Sequence, residues 1–366
     1  MYFFHRELAT EIARGVVPSR GALYPLDYRR FRALLVVALL FLYGQTVTRL
    51  FWYLDLLLFP GLRKAEIREP TFIVGNFRSG TSLLHRLLAR DRATYTTLTT
   101  VEIYLTPTVC QRKLGRFLGA VDRAFGGPGS PLLRRVGADI LQRTPYHPIQ
   151  LFGPEEDAGL LFFSWACFFS WFVFPAKGEI PRLASFDEEI PRLRRMKILR
   201  SYRGFLQRHL YDAQSRGRCA SRILSKNPSF TGMLGSLSEF FPGSRFVYLY
   251  RDPRETLSSN LDWFTVWFDM LGSNPGVEHY LRPTMGLLER WYRRPLTCLI
   301  PLPPNRWKLL RYSDFVRDTS EAVAELYRRF GIHLNEEATT LLHRGVAEES
   351  VRPPRPPRDL GSLGVS

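Results

Sequence analysis

The chain has 366 residues, which fits one large domain or two ordinary domains of about 150 residues each. Hydrophobic residues make up 45% and charged residues 23% of the sequence, proportions that exclude a wholly disordered chain and a polytopic membrane protein. Lysine and arginine outnumber aspartate and glutamate by 51 to 34, and the resulting net charge of +17 favours anionic partners such as phosphates, nucleic acids or acidic lipids.

Residues 1–69 are predicted to form a helical region with one strongly apolar stretch. The unbroken run from Ala33 to Tyr43 would be about 16 Å long as a helix, whereas the hydrocarbon core of a bilayer is about 30 Å thick. Arg49 and Asp55 interrupt the apolar pattern that follows. The pattern therefore favours an interfacial helix or helical hairpin at a membrane surface over a spanning helix. The alternative is a helix buried against the rest of the protein.

The spacing of the cysteines and the composition of residues 1–7 indicate the cellular compartment of the protein. The cysteines are far apart in the sequence, so neither a disulfide framework nor a zinc site is predicted; they are Cys110, Cys167, Cys219 and Cys298. Residues 1–7 do not combine a basic stretch with an apolar one, as a cleaved signal peptide does. The expected location is the cytoplasm, with or without peripheral or monotopic attachment to a membrane.

From residue 70 onward, short apolar runs alternate with segments of helical period, which is typical of an α/β domain. The predicted strands cover residues 71–75, 222–225, 245–250 and 307–311. The last strand is followed by a helix that Asp318 caps and Gly331 ends. We expect one domain over residues 70–345, with a mainly parallel central sheet between two layers of helices. The Pro- and Gly-rich residues 346–366 are expected to be disordered.

A second apolar stretch, residues 158–176, is rich in aromatic side chains. Three acidic residues precede it and Pro175 lies near its end, so a segment inside the domain is predicted rather than a membrane span. Further aromatic residues with helical spacing follow at residues 263–268. These rings are expected to form core or an apolar ligand pocket.

The segment from Gly75 to Ser82 lies between the first predicted strand and its helix. Its glycine spacing is that of the loop G-x-x-x-x-G-K-[ST], in which backbone N–H groups and a helix N-terminus hold a phosphate. Thr81 occupies the position of the lysine that reaches the β- and γ-phosphates of ATP, and Arg78 supplies a cation three residues earlier. The sequence therefore predicts a P-loop-type fold whose nucleotide does not transfer a magnesium-bound γ-phosphate.

Four motifs in order resemble those of sulfotransferases that use 3′-phosphoadenosine-5′-phosphosulfate (PAPS). The segment RSGTSLL is similar to the Arg-type 5′-phosphosulfate loop of that family, and RFVYLYRDPRETLSSN is similar to its 3′-phosphate site. The segments SKNP and RYSDF resemble two further strand ends. The resemblance implies a metal-independent enzyme with PAPS as co-substrate. The positions implied to bind it are Arg78, Ser79, Gly80, Thr81, Ser82, Arg251, Ser259 and Tyr312.

The resemblance also implies roles in catalysis. Arg78 would neutralise the 5′-phosphate as it leaves, and Lys226 would stabilise the bridging oxygen. An acceptor hydroxyl needs a general base, and Glu102 matches the position of the base in the glutamate-using members. The other candidates lie in the segment YHPIQLFGPEED, and they are His147, Glu155, Glu156 and Asp157.

Two other functions compete with sulfuryl transfer. A nucleotide kinase or ATPase would need a strand ending in a magnesium-binding carboxylate, and Asp252 has that position but follows Arg251. A non-catalytic membrane-surface protein would explain the charge and the apolar stretch, but not the ordered motifs. No nucleic-acid-binding module is recognisable. The expected acceptor is an amphiphilic or lipid-linked hydroxyl, with a glycan as the second candidate and an amine as the alternative acceptor group. The sequence does not indicate an oligomeric state.

Overall fold

The computed structural model of the chain describes residues 27–127, 129, 131, 135, 150–174, 182–217, 222–349 and 360–361. Its sheet has five strands in the order β2-β3-β1-β4-β5, and every neighbouring pair is parallel. The strands are β1 Thr71–Gly75, β2 Tyr95–Thr96, β3 Arg222–Lys226, β4 Arg245–Tyr250 and β5 Trp307–Arg311. The four predicted strands are confirmed, while the two-residue β2 was not predicted because it is too short to show a period.

Helices flank the sheet. Their bounds are α1 Tyr28–Tyr43, α2 Arg49–Leu58, α3 Thr81–Leu88, α4 Thr100–Tyr104, α5 Val109–Ala124, α6 Ala158–Phe162, α7 Ser170–Val173, α8 Phe186–Glu189, α9 Arg192–Gln214, α10 Leu234–Phe240, α11 Pro253–Met270, α12 Val277–Cys298, α13 Tyr312–Arg317, α14 Thr319–Phe330 and α15 Glu336–Glu349. Short 3₁₀ helices cover Pro60–Lys64, Arg182–Ser185, Pro228–Met233 and Pro304–Arg306.

Alternate residues of the central strands pack on two different cores. Phe72 and Val74 of β1 belong to a core that α9 and α10 cover, whereas Ile73 belongs to one that α3 and α14 cover. Because successive strand residues point to opposite faces, the sheet is buried on both sides. The predicted three-layer α/β architecture with a parallel sheet is confirmed.

The aromatic segment lies inside the domain, as predicted. Its rings and those of α11 form a third buried cluster, which includes Phe168, Phe172, Trp263 and Phe264. Phe77 of the predicted phosphate loop packs against this cluster, with its ring centroid 5.0 Å from that of Trp263. Most of these rings therefore belong to the core, and they support the loop by packing against Phe77.

The apolar stretch at residues 31–60 forms one continuous helix, which we call the apolar helix (Tyr28–Leu58). It consists of α1, a π-helical turn at Gly44–Thr48, and α2, and its 31 residues span about 46 Å. The helix is longer than the run from Ala33 to Tyr43 and is not a hairpin, because Asp55 turns inward instead of ending the helix. By length and composition the apolar helix could cross a membrane.

One stripe of the apolar helix packs along the domain over most of its length. Phe41 contacts the ring of Trp165 edge-on, and the Gln45 amide donates to the carbonyl of Phe163. Gly44, Thr48, Trp52 and Asp55 recur at helical spacing and are buried. The remaining surface of the helix carries ten exposed large hydrophobic side chains, from Tyr28 to Leu58.

Asp55 joins three helices. Its carboxylate accepts from Arg208 of α9 at 2.9 Å and from the backbone N–H groups of Val109 and Cys110 at 2.9 and 2.8 Å. The Arg208 guanidinium lies 3.4 Å from the centre of the Trp52 ring, and burial lowers the pKa of Arg208 to about 10. The N-terminus of α5 is thus fixed against both α2 and α9.

The C-terminal helices match the predicted caps. Asp318 accepts from the N–H of Glu321, and Gly331 ends α14 with a φ of 61°. However, α15 continues to Glu349, and Val346 packs against the core. The predicted boundary at residue 345 is therefore too early. Residues 350–359 and 362–366 of the predicted disordered tail lie outside the described residues.

Replacing Asp55 by asparagine should destabilise the fold strongly. The buried Arg208 would lose its counter-charge, and breaking a buried pair in this way costs about 3 to 5 kcal/mol. Urea denaturation monitored by tryptophan fluorescence would measure the loss. As a matched control, Glu289→Gln removes the carboxylate of an exposed pair with Arg293 and should cost less than about 1 kcal/mol. Equal effects of the two substitutions would contradict the structural role of Asp55.

Candidate active site

The predicted phosphate loop starts where β1 ends, in the middle of the sheet. A Cβ atom at Gly75 would collide with the carbonyl oxygen of Leu249 on β4, so only glycine allows this approach. The hydroxyl of Thr231 accepts from the N–H of Gly75 and donates to its carbonyl, both at 3.0 Å. Thr231 thus fixes the residue from which the loop leaves the sheet.

Two left-handed residues shape the loop. Arg78 has a φ of 66° and Gly80 a φ of 93°. The buried Ser79 donates its hydroxyl to the carbonyl of Asn76 at 2.6 Å, which closes the turn. Thr81 and Ser82 begin α3, where first-turn N–H groups have no acceptor within the helix. This geometry suits an anion above the loop.

Residues from three predicted motifs meet at the loop. Arg78 donates from Nε to the hydroxyl of Ser259 on α11 at 3.1 Å, although 181 positions separate them. The ring of Tyr312, which follows β5, covers Gly80 so closely that a Cβ there would collide with it. The guanidinium of Arg251 lies 4.9 Å from the centre of that ring. Arg78, Gly80, Arg251, Ser259 and Tyr312 therefore form one cluster.

The turn from β4 into α11 is held by its own side chains. Asp252 does not pair with Arg251 but accepts from the N–H groups of Arg254 and Glu255 as a helix cap. Arg251 instead donates to the Glu255 carboxylate at 2.6 Å. Asp252, the carboxylate that a kinase would need for magnesium, therefore has a structural role as a cap.

Lys226 lies at the carboxyl end of β3, beside β1. Its side chain is almost fully buried and is ion-paired with Glu156. The second carboxylate oxygen of Glu156, Oε2, is buried and has no hydrogen-bond partner among the described residues. The site thus contains a buried lysine and a carboxylate with one oxygen available to accept a proton.

Two neighbouring carboxylates position the segment that carries Glu156. The Glu155 side chain accepts from the N–H of Glu156 at 2.8 Å. The Tyr202 hydroxyl donates to Asp157 and lies 3.2 Å from the hydroxyl of Ser225, the residue before Lys226. Burial raises the pKa of Asp157 to about 7. Asp157 and Tyr202 therefore connect this segment to the end of β3.

The environment of Glu102 differs from that of Glu156. Its carboxylate accepts from the N–H and hydroxyl of Thr99 in a capping box of α4, and it lies 3.4 Å from Arg112. Burial alone would raise the pKa of Glu102, but Arg112, His209 and the hydrogen bonds from Thr99 outweigh it and lower the pKa to about 2. Both oxygens are thus occupied by structural partners. His147, another candidate base, lies outside the described residues.

The cluster fits a nucleotide with phosphates at two positions. Arg78 and Arg251 supply two cations, and Ser259 adds a hydroxyl. Asn260, next to Ser259, is fully buried, and neither of its amide atoms has a hydrogen-bond partner among the described residues. Within the same residues, no group of three or more His, Cys, Asp or Glu side chains could hold a metal ion.

A parallel sheet whose central strand ends in such a loop defines a P-loop-type nucleotide-binding protein. The profile of the Sulfotransferase family matches residues 70–336, and the chain belongs to this family. The predicted family is therefore confirmed, and the match covers the sheet, the loop and the Lys226 region.

The individual proteins to which the chain is similar have low sequence identity to it. The chain is 24% identical over 275 residues to omega-hydroxy-beta-dihydromenaquinone-9 sulfotransferase Stf3 of Mycobacterium bovis and of Mycobacterium tuberculosis. The match spans 72% of this chain but only 63% of those relatives. Among solved structures, sulfotransferase STF9 of Mycobacterium avium superposes with a TM-score of 0.70 at 18% identity, covering 94% of this chain and 82% of that one. Sulfotransferase STF1 of Mycobacterium tuberculosis superposes with a TM-score of 0.58 at 19% identity, covering 93% of this chain and 92% of that one. These structures support the fold.

The environment of Glu102 predicts how its contribution to stability depends on pH. Because its pKa is lowered from 4.5 to about 2 on folding, the charged carboxylate stabilises the protein fully above pH 4.5 and progressively less toward pH 2. Glu102→Gln should lower the free energy of unfolding by about 2 to 3 kcal/mol at pH 7. The difference from wild type should shrink at pH 3.5, as measured by urea denaturation at both values. A stability difference that stays constant or grows toward pH 3.5 would contradict the lowered pKa of Glu102.

Proposed function

We propose that the protein transfers a sulfuryl group from PAPS to an acceptor hydroxyl. The observation that carries this proposal is the hydrogen bond between Arg78 and Ser259, because it joins the two motifs that resemble the 5′- and 3′-phosphate sites of the family. Membership of the Sulfotransferase family supports the same reaction.

The residues present could bind PAPS in a defined orientation. The N–H groups of the loop and the start of α3 would hold the 5′-phosphosulfate, and Arg78, Arg251 and Ser259 would neutralise the two phosphate positions. When bound, PAPS supplies the sulfuryl group and a stable leaving phosphate. Arg78 and Lys226 would stabilise the negative charge that develops between phosphate and sulfuryl group.

We assign the general base to Glu156 rather than to Glu102. Glu156 Oε2 is free to accept a proton, and Oε1 contacts Lys226, which the family motif links to the transferred group. Glu102 is a weak base, because its pKa is about 2 and its oxygens bind Thr99 and Arg112. A proton leaving the acceptor hydroxyl would pass to Glu156 as the oxygen attacks sulfur.

The acceptor is proposed to be an amphiphilic or lipid-linked alcohol. The Stf3 relatives act, according to their names, on a hydroxylated dihydromenaquinone. In this chain, the segment that follows Glu156 packs against the apolar helix through Phe162 and Trp165. A hydroxyl presented at a membrane surface would therefore approach Glu156 from the side of the apolar helix.

The apolar helix is proposed to lie in the membrane interface at the cytoplasmic side instead of crossing the bilayer. It contacts the domain from Arg30, beside Gly272, to Asp55, which pairs with Arg208. A spanning orientation would draw these polar contacts into hydrocarbon, at a large cost in free energy. An interfacial orientation leaves them outside the hydrocarbon while the exposed apolar side chains enter it.

Substitutions in the nucleotide cluster should weaken binding of the product 3′,5′-adenosine bisphosphate. Arg78→Ala and Arg251→Ala each remove a charge-assisted contact to a phosphate, which corresponds to about 10- to 100-fold in Kd; Ser259→Ala should have a smaller effect. Calorimetry without magnesium would measure these changes. Arg317→Ala is a matched control, since Arg317 is largely exposed and outside the cluster. Unchanged affinity in all three site variants would refute the nucleotide site.

The base assignment is tested by paired substitutions. Glu156→Gln should lower kcat by about 10²- to 10⁴-fold with little change in bisphosphate affinity. Glu102→Gln should keep kcat within a few-fold of wild type at temperatures where it is folded. The measurement is release of bisphosphate from PAPS with a panel of long-chain alcohols. If Glu102→Gln abolishes turnover while Glu156→Gln retains it, Glu102 is the base.

A further inference from the structure

Helix α5 exposes the apolar face that an amphipathic helix normally buries. Val109 at its start is buried, but the large apolar side chains further along are exposed and follow helical spacing; they are Leu114, Phe117, Leu118 and Val121, with Phe125 directly after the helix. Phe117 is 63% and Phe125 is 80% exposed. On another side of α5, Arg116 pairs with the buried Asp212 of α9. From Leu114 onward, α5 therefore presents its large apolar side chains outward.

The N-terminus of α5, just before its exposed apolar face begins at Leu114, contacts the apolar helix. Asp55 holds the first N–H groups of α5, and the amide of Gln111 donates to Tyr43 and Thr48. Among the described residues, 22 large hydrophobic side chains are exposed, and 16 of them lie between Tyr28 and Phe125. The exposed apolar surface is thus concentrated in these two neighbouring helices and the turn before α5.

Charge around this surface is mostly positive. The apolar helix carries four arginines, of which Arg30 is buried, and its one acidic residue, Asp55, is paired inside the protein. On α5, Lys113 and Arg123 are exposed, whereas Arg112 is buried beside Glu102 and Arg116 pairs with Asp212; the single acidic residue of the helix is Asp122. Asp122 accepts from the N–H of Gly129. Exposed aromatic and leucine side chains flanked by basic ones match the interface of a bilayer that contains anionic lipid.

We propose that α5 is a second membrane-docking element, which inserts Phe117 and Phe125 into an anionic lipid interface beside the apolar helix. This inference rests on the proposed membrane location of the apolar helix and extends it. Because two helices define a plane, joint insertion would fix the orientation of the catalytic domain on the membrane, which one helix that is free to roll would not do. The segment that carries Glu156 would then keep a constant position relative to the membrane surface.

The test is flotation of the full-length chain with phosphatidylcholine vesicles, with and without phosphatidylglycerol. The double variant F117S/F125S should bind anionic vesicles about tenfold or more weakly than wild type. The matched control L193S/I300S replaces two apolar residues that are also exposed but lie on other elements, and it should bind like wild type. In addition, K113Q/R123Q should weaken binding to anionic vesicles only. Equal partition of F117S/F125S and wild type, or no binding by wild type, would overturn the proposal.

A second measurement separates the lipid from another occupant. Sedimentation velocity without lipid should show the same oligomeric state for wild type and F117S/F125S. If F117S/F125S dissociates a wild-type oligomer and leaves vesicle binding unchanged, the face contacts a second copy of the chain, and the proposal fails. Affinity for 3′,5′-adenosine bisphosphate should be equal in both proteins. Lack of bisphosphate binding by wild type would refute the proposed enzymatic function and leave the docking result standing.

Discussion

The site depends on how the chain leaves β1 at Gly75. Thr231 hydrogen-bonds both backbone groups of Gly75, and the residue lies against the carbonyl of Leu249 without a Cβ. Because β1 is the central strand, this departure point lies between β3, which carries Lys226, and β4, which leads to Arg251. The positions of the groups proposed to bind phosphate and to transfer the sulfuryl group therefore follow from one backbone constraint.

A second constraint is the buried Asp55 carboxylate. It compensates Arg208 and also accepts from two N–H groups at the start of α5, so one charge determines the relative positions of α2, α5 and α9. Its desolvation is tolerable because every partner is a donor with good geometry. The consequence is that a buried ion pair holds the apolar helix to α9. Removing residues 1–69 would leave Arg208 without its counter-charge.

Sequence patterns were informative where the signal is local. The strands, the loop at Gly75–Ser82 and the cap at Asp318 depend on residues a few positions apart, and their structures were predicted. The sequence favoured Glu102 as the base and gave no sign of the pairing of Glu156 with Lys226, because that pairing joins positions 70 apart. The exposed face of α5 was missed for a related reason. An amphipathic pattern indicates that a helix has an apolar face, but only tertiary packing determines which way that face points.

The two glutamates illustrate how environment assigns different chemistry to one residue type. Both lie in short segments near the edge of the sheet, and the antiparallel bridge between Thr99 and Pro154 connects those segments. Glu102 uses its charge to cap α4 and to neutralise Arg112, which lowers its pKa and removes it from proton transfer. Among the described residues, one oxygen of Glu156 has no partner, and the other contacts a lysine. Glu102 thus stabilises the bridge, whereas Glu156 is the carboxylate that we propose to act on the acceptor. The cost of an unsatisfied buried oxygen is understandable if the acceptor hydroxyl supplies the missing donor during turnover.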